Sequence, residues 1–135
     1  MSPGGAGRLK GMFKDTKAYS GFAVDDVAAA ERFYGEVLGI ETSVEHGMLT
    51  VGLDGGARPT LAYPKPGHVP AEYTILNFPT DDIEAAVDAL VARGVEILRY
   101  DGLEQDERGI MRAGGPYIAW FADPAGNVLS VLQER

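Results

Sequence analysis

Two histidines and a few serines are the first residues to ask for chemistry, and cysteine is absent altogether. Without cysteine there is no disulfide, no thiolate metal ligand and no thiol nucleophile. His46 stands beside Gly47, a turn pair, and His68 stands in a proline-rich connector with Pro64, Pro66 and Pro70. Each reads as a loop histidine rather than a ligand or a general base. A metal site built from Glu45 or Glu72 instead has no spacing to support it. Ser20, Ser43 and Ser130 have no evident histidine partner to activate them. The paired carboxylates Asp25-Asp26 and Asp81-Asp82 precede helical patterns, where they accept bonds from free N–H groups. Asp54-Gly55-Gly56 and Ala113-Gly114-Gly115 precede strands, so they are not phosphate loops. What remains is a set without acid–base character: Tyr19, Tyr63, Ile75, Asn77, Trp120 and Ser130. Aromatic surface with a few neutral hydrogen-bonding groups is how small-molecule pockets are composed. The same residue types also build cores and dimer interfaces.

The elements that must position these residues follow from periodicity. Residues 17–24 alternate as a strand. After Asp25-Asp26, the residues Val27, Ala30, Phe33, Tyr34, Val37 and Leu38 give a helix one apolar face, and Gly39 ends it. Strands are predicted over 40–45, 48–53 and 59–63, with Asp54-Gly55-Gly56 as the turn between the last two. The connector through Pro64, Pro66, Gly67 and Pro70 continues neither element type. The pattern then repeats. A strand over 73–78 leads to a helix with Ile83, Ala86, Val87 and Leu90 on its apolar face, ended by Gly94. Three more strands are predicted over 95–100, 117–122 and 127–133, with a polar loop over 101–115.

The two halves align. Asp25-Asp26-Val27-Ala28-Ala29-Ala30 matches Asp81-Asp82-Ile83-Glu84-Ala85-Ala86, and Leu38-Gly39-Ile40-Glu41 matches Arg93-Gly94-Val95-Glu96. Each half reads strand–helix–three strands, a sheet with a helix on one face and nothing on the other. Two such units side by side enclose a cleft. Strand parity lines it with Tyr19, Leu61, Tyr63, Ile75, Asn77, Val128, Ser130 and Leu132, together with Trp120.

The duplication, the strand ending Val24-Asp25-Asp26-Val27, the downstream Phe33-Tyr34 and the turn Phe121-Ala122-Asp123-Pro124-Ala125-Gly126-Asn127 together resemble the vicinal oxygen chelate superfamily. That group holds glyoxalase I, bleomycin-resistance proteins, fosfomycin-resistance enzymes and extradiol dioxygenases. The resemblance covers about residues 17 to 135. It implies an α+β, glyoxalase-like fold: two βαβββ modules forming a curved mixed sheet with a cleft. It also implies a homodimer. Enzymes of the group hold a divalent metal through histidine, glutamine or glutamate in the first and last strands of the modules. Carried over, those positions fall on Tyr19, Ile75 and Ser130 and near Leu61, none a usual ligand of such a metal. The expectation is therefore no metal and no other cofactor.

Residues 1–16 read as a flexible tail and 17–135 as one domain, with module one over 17–70 and module two over 71–135. Met12 is a second candidate translation start. A net charge of −8 leaves no basic face for nucleic acid. Arg8, Lys10, Lys14 and Lys17 read as a solvated tail. No apolar run reaches the ~20 residues that span a bilayer, and residues 1–11 lack a signal-peptide core. These features fit a cytoplasmic protein. The leading expectation is a bleomycin-resistance-like protein that binds a small molecule without a catalytic metal. The alternatives are a divalent-metal lyase, isomerase, transferase or dioxygenase with atypical ligands, and a homodimeric interaction module.

Overall fold

Asp26 and Asp82 start the two helices in the same way. The computed structural model, which describes residues 11–135, shows each with extended backbone and a carboxylate accepting from an N–H three residues on. The partners are Ala29 and Ala85, both at 3.1 Å. Each bond satisfies a donor that a helix start leaves free. The first helix, α1, runs Val27–Glu31 and widens into a π turn over Arg32–Val37. There the Leu38 N–H donates to the Phe33 carbonyl at 2.9 Å. The sequence predicted one regular helix, and the wider turn is the difference. Phe33 and Tyr34, consecutive within it, are both buried. The second helix, α2 (Ile83–Ala92), buries Ile83 and Val87 and is followed by Gly94 at φ 85°.

Among the described residues seven strands accompany the helices: β1 Ser20–Val24, β2 Thr42–Glu45, β3 Met48–Val51, β4 Thr60–Pro64, β5 Thr74–Pro79, β6 Tyr117–Ala122 and β7 Val128–Gln133. They form a four-stranded sheet, β1-β4-β3-β2, and a three-stranded sheet, β5-β7-β6. The first strand of each half pairs parallel with the last, and the other pairs are antiparallel. This is the α+β, glyoxalase-like fold with two matching halves. The hairpin between β2 and β3 turns at His46 (φ 54°) and Gly47 (φ 75°). Left-handed backbone at both central residues matches the twist of the strands.

One predicted strand is absent. Residues 95–100 are not a regular strand, and only one backbone bond, Leu98 N–H to the Trp120 carbonyl at 2.8 Å, joins them to β6. The Gln105 side chain takes the place of a ladder partner. It accepts from the Tyr100 N–H and donates to the carbonyls of Leu98 and Gly109. Met111 pairs with Ile118 further along the same edge of β6. The second module therefore keeps three regular strands where the first has four.

The core lies between the helices and the inner faces of both sheets. Val24, Leu49, Val51 and Ala62 from module one join Ala119, Phe121, Leu129 and Val131 from module two. Full burial of each larger side chain contributes about 1.5–3 kcal/mol. Phe33 meets Phe121 across the junction at 6.4 Å and packs edge-on to Tyr34 at 5.2 Å.

A buried polar cluster fixes the modules to each other. The Tyr34 hydroxyl donates to Asp123 Oδ2 at 2.7 Å, and Asn127 Nδ2 donates to the same oxygen at 3.0 Å. Asp123 Oδ1 accepts from the N–H groups of Ala125 and Asn127, each at 2.9 Å. Asn127 Nδ2 also reaches the Ala23 carbonyl of β1 at 2.9 Å. Burial, and then the adjacent Asp123 carboxylate, push the Tyr34 hydroxyl far above its ordinary pKa, so it remains a donor.

The loop between residues 101 and 115 is organised around Asp106. Its Oδ1 accepts from the N–H groups of Arg108 and Ile110, and its Oδ2 accepts from Arg112 Nε at 3.1 Å. Arg112 and Arg108 continue to Glu84 and Asp88 on α2. Burial raises the Asp106 pKa, but the bonds from Ile110, Arg112 and Arg108 outweigh it and leave the carboxyl below its usual range. A carboxylate with a depressed folded pKa stabilises the fold above its unfolded value of about 3.9, and that contribution is lost as pH falls through the folded value. In an NMR titration the Asp106 carboxyl carbon should show its midpoint below about 3.9. Protection of the Ile110 amide should fall over the same range, and Asp106→Asn should remove the step. A midpoint at or above the unfolded value contradicts this reading.

Candidate ligand-binding cleft

β1 and β5 each form one edge of their sheets, and the connector over 65–73 crosses between the modules. A cleft of about 500 Å³ opens there, lined among others by Gly21, Tyr63, Lys65, His68, Tyr73 and Ile75. Its position follows from the buried cluster, since Asn127 both lines the cleft and bonds β1. The connector is seated by Gly126. That residue has φ 86°, and a Cβ there would stand 3.1 Å from Pro70 Cγ, so a side chain would crowd the proline. At Gly21 a Cβ would lie 3.4 Å from the Leu61 carbonyl and 3.9 Å from Tyr63 Cε1. Ser20 and Thr60, whose hydroxyl oxygens are 2.7 Å apart, also line the cleft.

Lys65 and His68 line the cleft, and no aspartate or glutamate does. His68 Nε2 is buried and has no hydrogen-bond partner among the described residues. A buried polar atom left in that state costs about 1–3 kcal/mol. Nε2 is covered in the unliganded chain, so a ligand group recovers that cost once the ring turns toward the cleft.

The residues predicted for the site do not all meet. Tyr63 and Ile75 line the cleft. Tyr19 precedes β1 by one residue and is 70% exposed. Asn77 lines a separate open hollow, with Leu53 and Arg58 among its neighbours. Ser130 is fully buried and donates to Asn77 Oδ1 at 2.6 Å. Trp120 packs edge-on to Tyr100, with ring centres 5.5 Å apart. The physical reason for the split between Ile75 and Asn77 is a bulge in β5. Thr74 pairs with Val128 and Leu76 with Leu129, so Ile75 is an extra residue and strict alternation fails. Sequence reasoning set His68 aside as a loop histidine and left Lys65 and Tyr73 out of the site. The available signal was their place on a connector that must cross the junction between two modules.

The donor set at the positions corresponding to a metal site does not suit a divalent cation. Leu61 and Ile75 carry no donor atom, and the buried Ser130 hydroxyl is bonded to Asn77. Among the described residues no three of histidine, cysteine, aspartate and glutamate are grouped to hold an ion.

A model of the Glyoxalase/Bleomycin resistance protein/Dioxygenase superfamily matches residues 18–131, and the chain belongs to that superfamily. Among solved structures it is similar to TnmS3, described as an antibiotic binding protein from a Streptomyces species. The two are 25% identical, with 90% of this chain and 98% of that one covered and a TM-score of 0.65. A superfamily member from Sphaerobacter thermophilus is 24% identical over 87% of this chain and 97% of that one, with a TM-score of 0.63. A putative glyoxalase family protein from Bacillus anthracis is 17% identical over 87% and 95%, with a TM-score of 0.64. A search of the curated proteins finds no match.

Elemental analysis of protein purified without chelators tests the donor-set reading. Divalent metal should be well below one ion per chain. A stoichiometric metal that is lost on Ser130→Ala or Tyr19→Phe contradicts it.

Proposed function

We propose that the chain binds a small organic molecule in the cleft between β1 and β5, without a catalytic metal, as a bleomycin-resistance-like member of its superfamily. The observation that carries this reading is a cleft of about 500 Å³ lined by His68, whose buried Nε2 has no partner among the described residues. That volume lies within the range of ligand pockets. Tyr63 and Tyr73 supply aromatic surface, and Ile75 supplies an apolar wall. The likeness to TnmS3 over most of both chains supports a binding role. The metal-dependent lyase, isomerase, transferase and dioxygenase readings gain nothing from Tyr19, Leu61, Ile75 and Ser130 as donors.

A homodimer belongs to the same proposal. Gly21, Thr50 and Leu61 share the outer face of the first sheet by register, opposite the buried Leu49, Val51 and Ala62. Nearby, Tyr19 is 70% exposed. A second copy would cover such aromatic surface. The features that disfavour nucleic acid, above all the net charge of −8, stand with a cytoplasmic binding role. Among the described residues no helix is long and apolar enough to cross a membrane.

Thermal shift against a broad panel of metabolites and antibiotics, with and without EDTA, tests the proposal. A ligand at about a hundred times its Kd should raise Tm by roughly 5–10 °C, and EDTA should leave the shift unchanged. Shifts that vanish with EDTA contradict the metal-free reading. A panel with no shifts, together with Tyr63→Ala changing only association state, favours the interaction module.

A further inference from the structure

The charge around the cleft is opposite to that of the molecule. The chain carries a net charge of −8. Yet Lys65 and His68 line the cleft, while Glu72, on the same connector, is not among its lining residues. Lys65 makes no salt bridge among the described residues. The described salt bridges of Arg58, Arg108 and Arg112 lie on other surfaces, with Asp54, Glu84, Asp88 and Asp106. A free ammonium and an unpartnered imidazole nitrogen beside aromatic rings form a recognition pattern rather than a structural one. The tyrosines supply flat apolar contact, Lys65 supplies a charge-assisted bond to an acceptor, and His68 supplies a hydrogen-bond donor.

We propose that the cleft recognises a planar aromatic carboxylate, with Lys65 Nζ pairing with the carboxylate, the His68 ring turning so that Nε2, covered in the unliganded chain, donates to one of its oxygens, and Tyr63 and Tyr73 against the ring. This rests on the reading of the cleft as a small-molecule site and narrows its ligand class. Neutral imidazole protonated at Nε2 is already a competent donor, and imidazolium is a stronger one. His68 is therefore a positioning and specificity contact. No bond is made or broken in the ligand. The hydroxyls of Ser20 and Thr60 flank the cleft as further neutral partners.

Isothermal titration with 2-naphthoate and with neutral 2-naphthamide separates charge from shape. The carboxylate should bind about tenfold more tightly than the amide, and His68→Gln and Lys65→Gln should each remove most of that difference, since a hydrogen bond to a charged group is worth about that factor. High salt should weaken naphthoate and leave naphthamide unchanged. His46→Asn, at the exposed hairpin, should behave as the parent chain. Intermolecular NOEs from the naphthyl protons should reach Tyr63 and Tyr73. Equal affinity for the two compounds overturns the carboxylate proposal and leaves the binding function standing. So does naphthoate binding that neither substitution at Lys65 or His68 weakens. NOEs to Trp120 or Leu132 in place of Tyr63 overturn it too. If neither naphthyl compound binds while other compounds of the thermal-shift panel do, the ligand class is wrong and the function is not. If nothing binds and Tyr73→Ser dissociates a dimer, a second copy occupies the cleft and both readings fail.

Discussion

The bond from the Tyr34 hydroxyl to the buried Asp123 carboxylate is the constraint on which the rest of the molecule depends. A carboxylate that is 5% exposed must be compensated by donors or it destabilises the fold. Asp123 finds them in Tyr34, Ala125 and Asn127. Three of these bonds are local and shape the turn between β6 and β7. The fourth comes from Tyr34 in the π turn after α1, in the other module. Asn127 then reaches back to the Ala23 carbonyl, so β1 is bonded to that same turn. Two modules whose ladders are separate are thereby held at a fixed junction, and the cleft is a product of it. Gly126 gives the arrangement its last contact, because its missing side chain leaves room for Pro70 of the connector.

Much of this was legible in the sequence, though for different reasons in different places. The aspartates before each helix are capping residues whose chemistry is local, and local chemistry can be read directly. The hairpin at His46-Gly47 is of the same kind. Phe33-Tyr34 and the turn from Phe121 to Asn127 were visible as the pattern of a family. The bond that makes them necessary to each other was not, because it joins residues 89 positions apart. Residues 95–100 have the composition of a strand, but the Gln105 side chain competes for their backbone groups. Periodicity carries no information about such a competitor.

The site was less legible than the fold. Parity along β5 assigned Ile75 and Asn77 to one surface, and a single bulged residue separated them. Ser130 follows strand alternation, yet its hydroxyl is buried and committed to Asn77. Lys65 and His68 have no periodicity at all, since the connector between β4 and β5 is part of neither sheet. Their importance comes from where the connector is held, which is a consequence of the Asp123 cluster. The scaffold of a metal-binding superfamily is thus combined with metal positions that lack suitable donors and with a cleft whose charge comes from the connector.

Native-state hydrogen exchange on Tyr34→Phe tests the central claim, that one buried bond makes the two modules a single cooperative unit. The amides of Val24 in module one and Leu129 in module two are the probes, both in fully buried residues. Loss of a hydrogen bond to a charged partner costs about 1.5–3 kcal/mol, so protection at both sites should fall together by the same factor, roughly tenfold to a hundredfold. Protection that falls at Val24 alone, with Leu129 unchanged, contradicts the account.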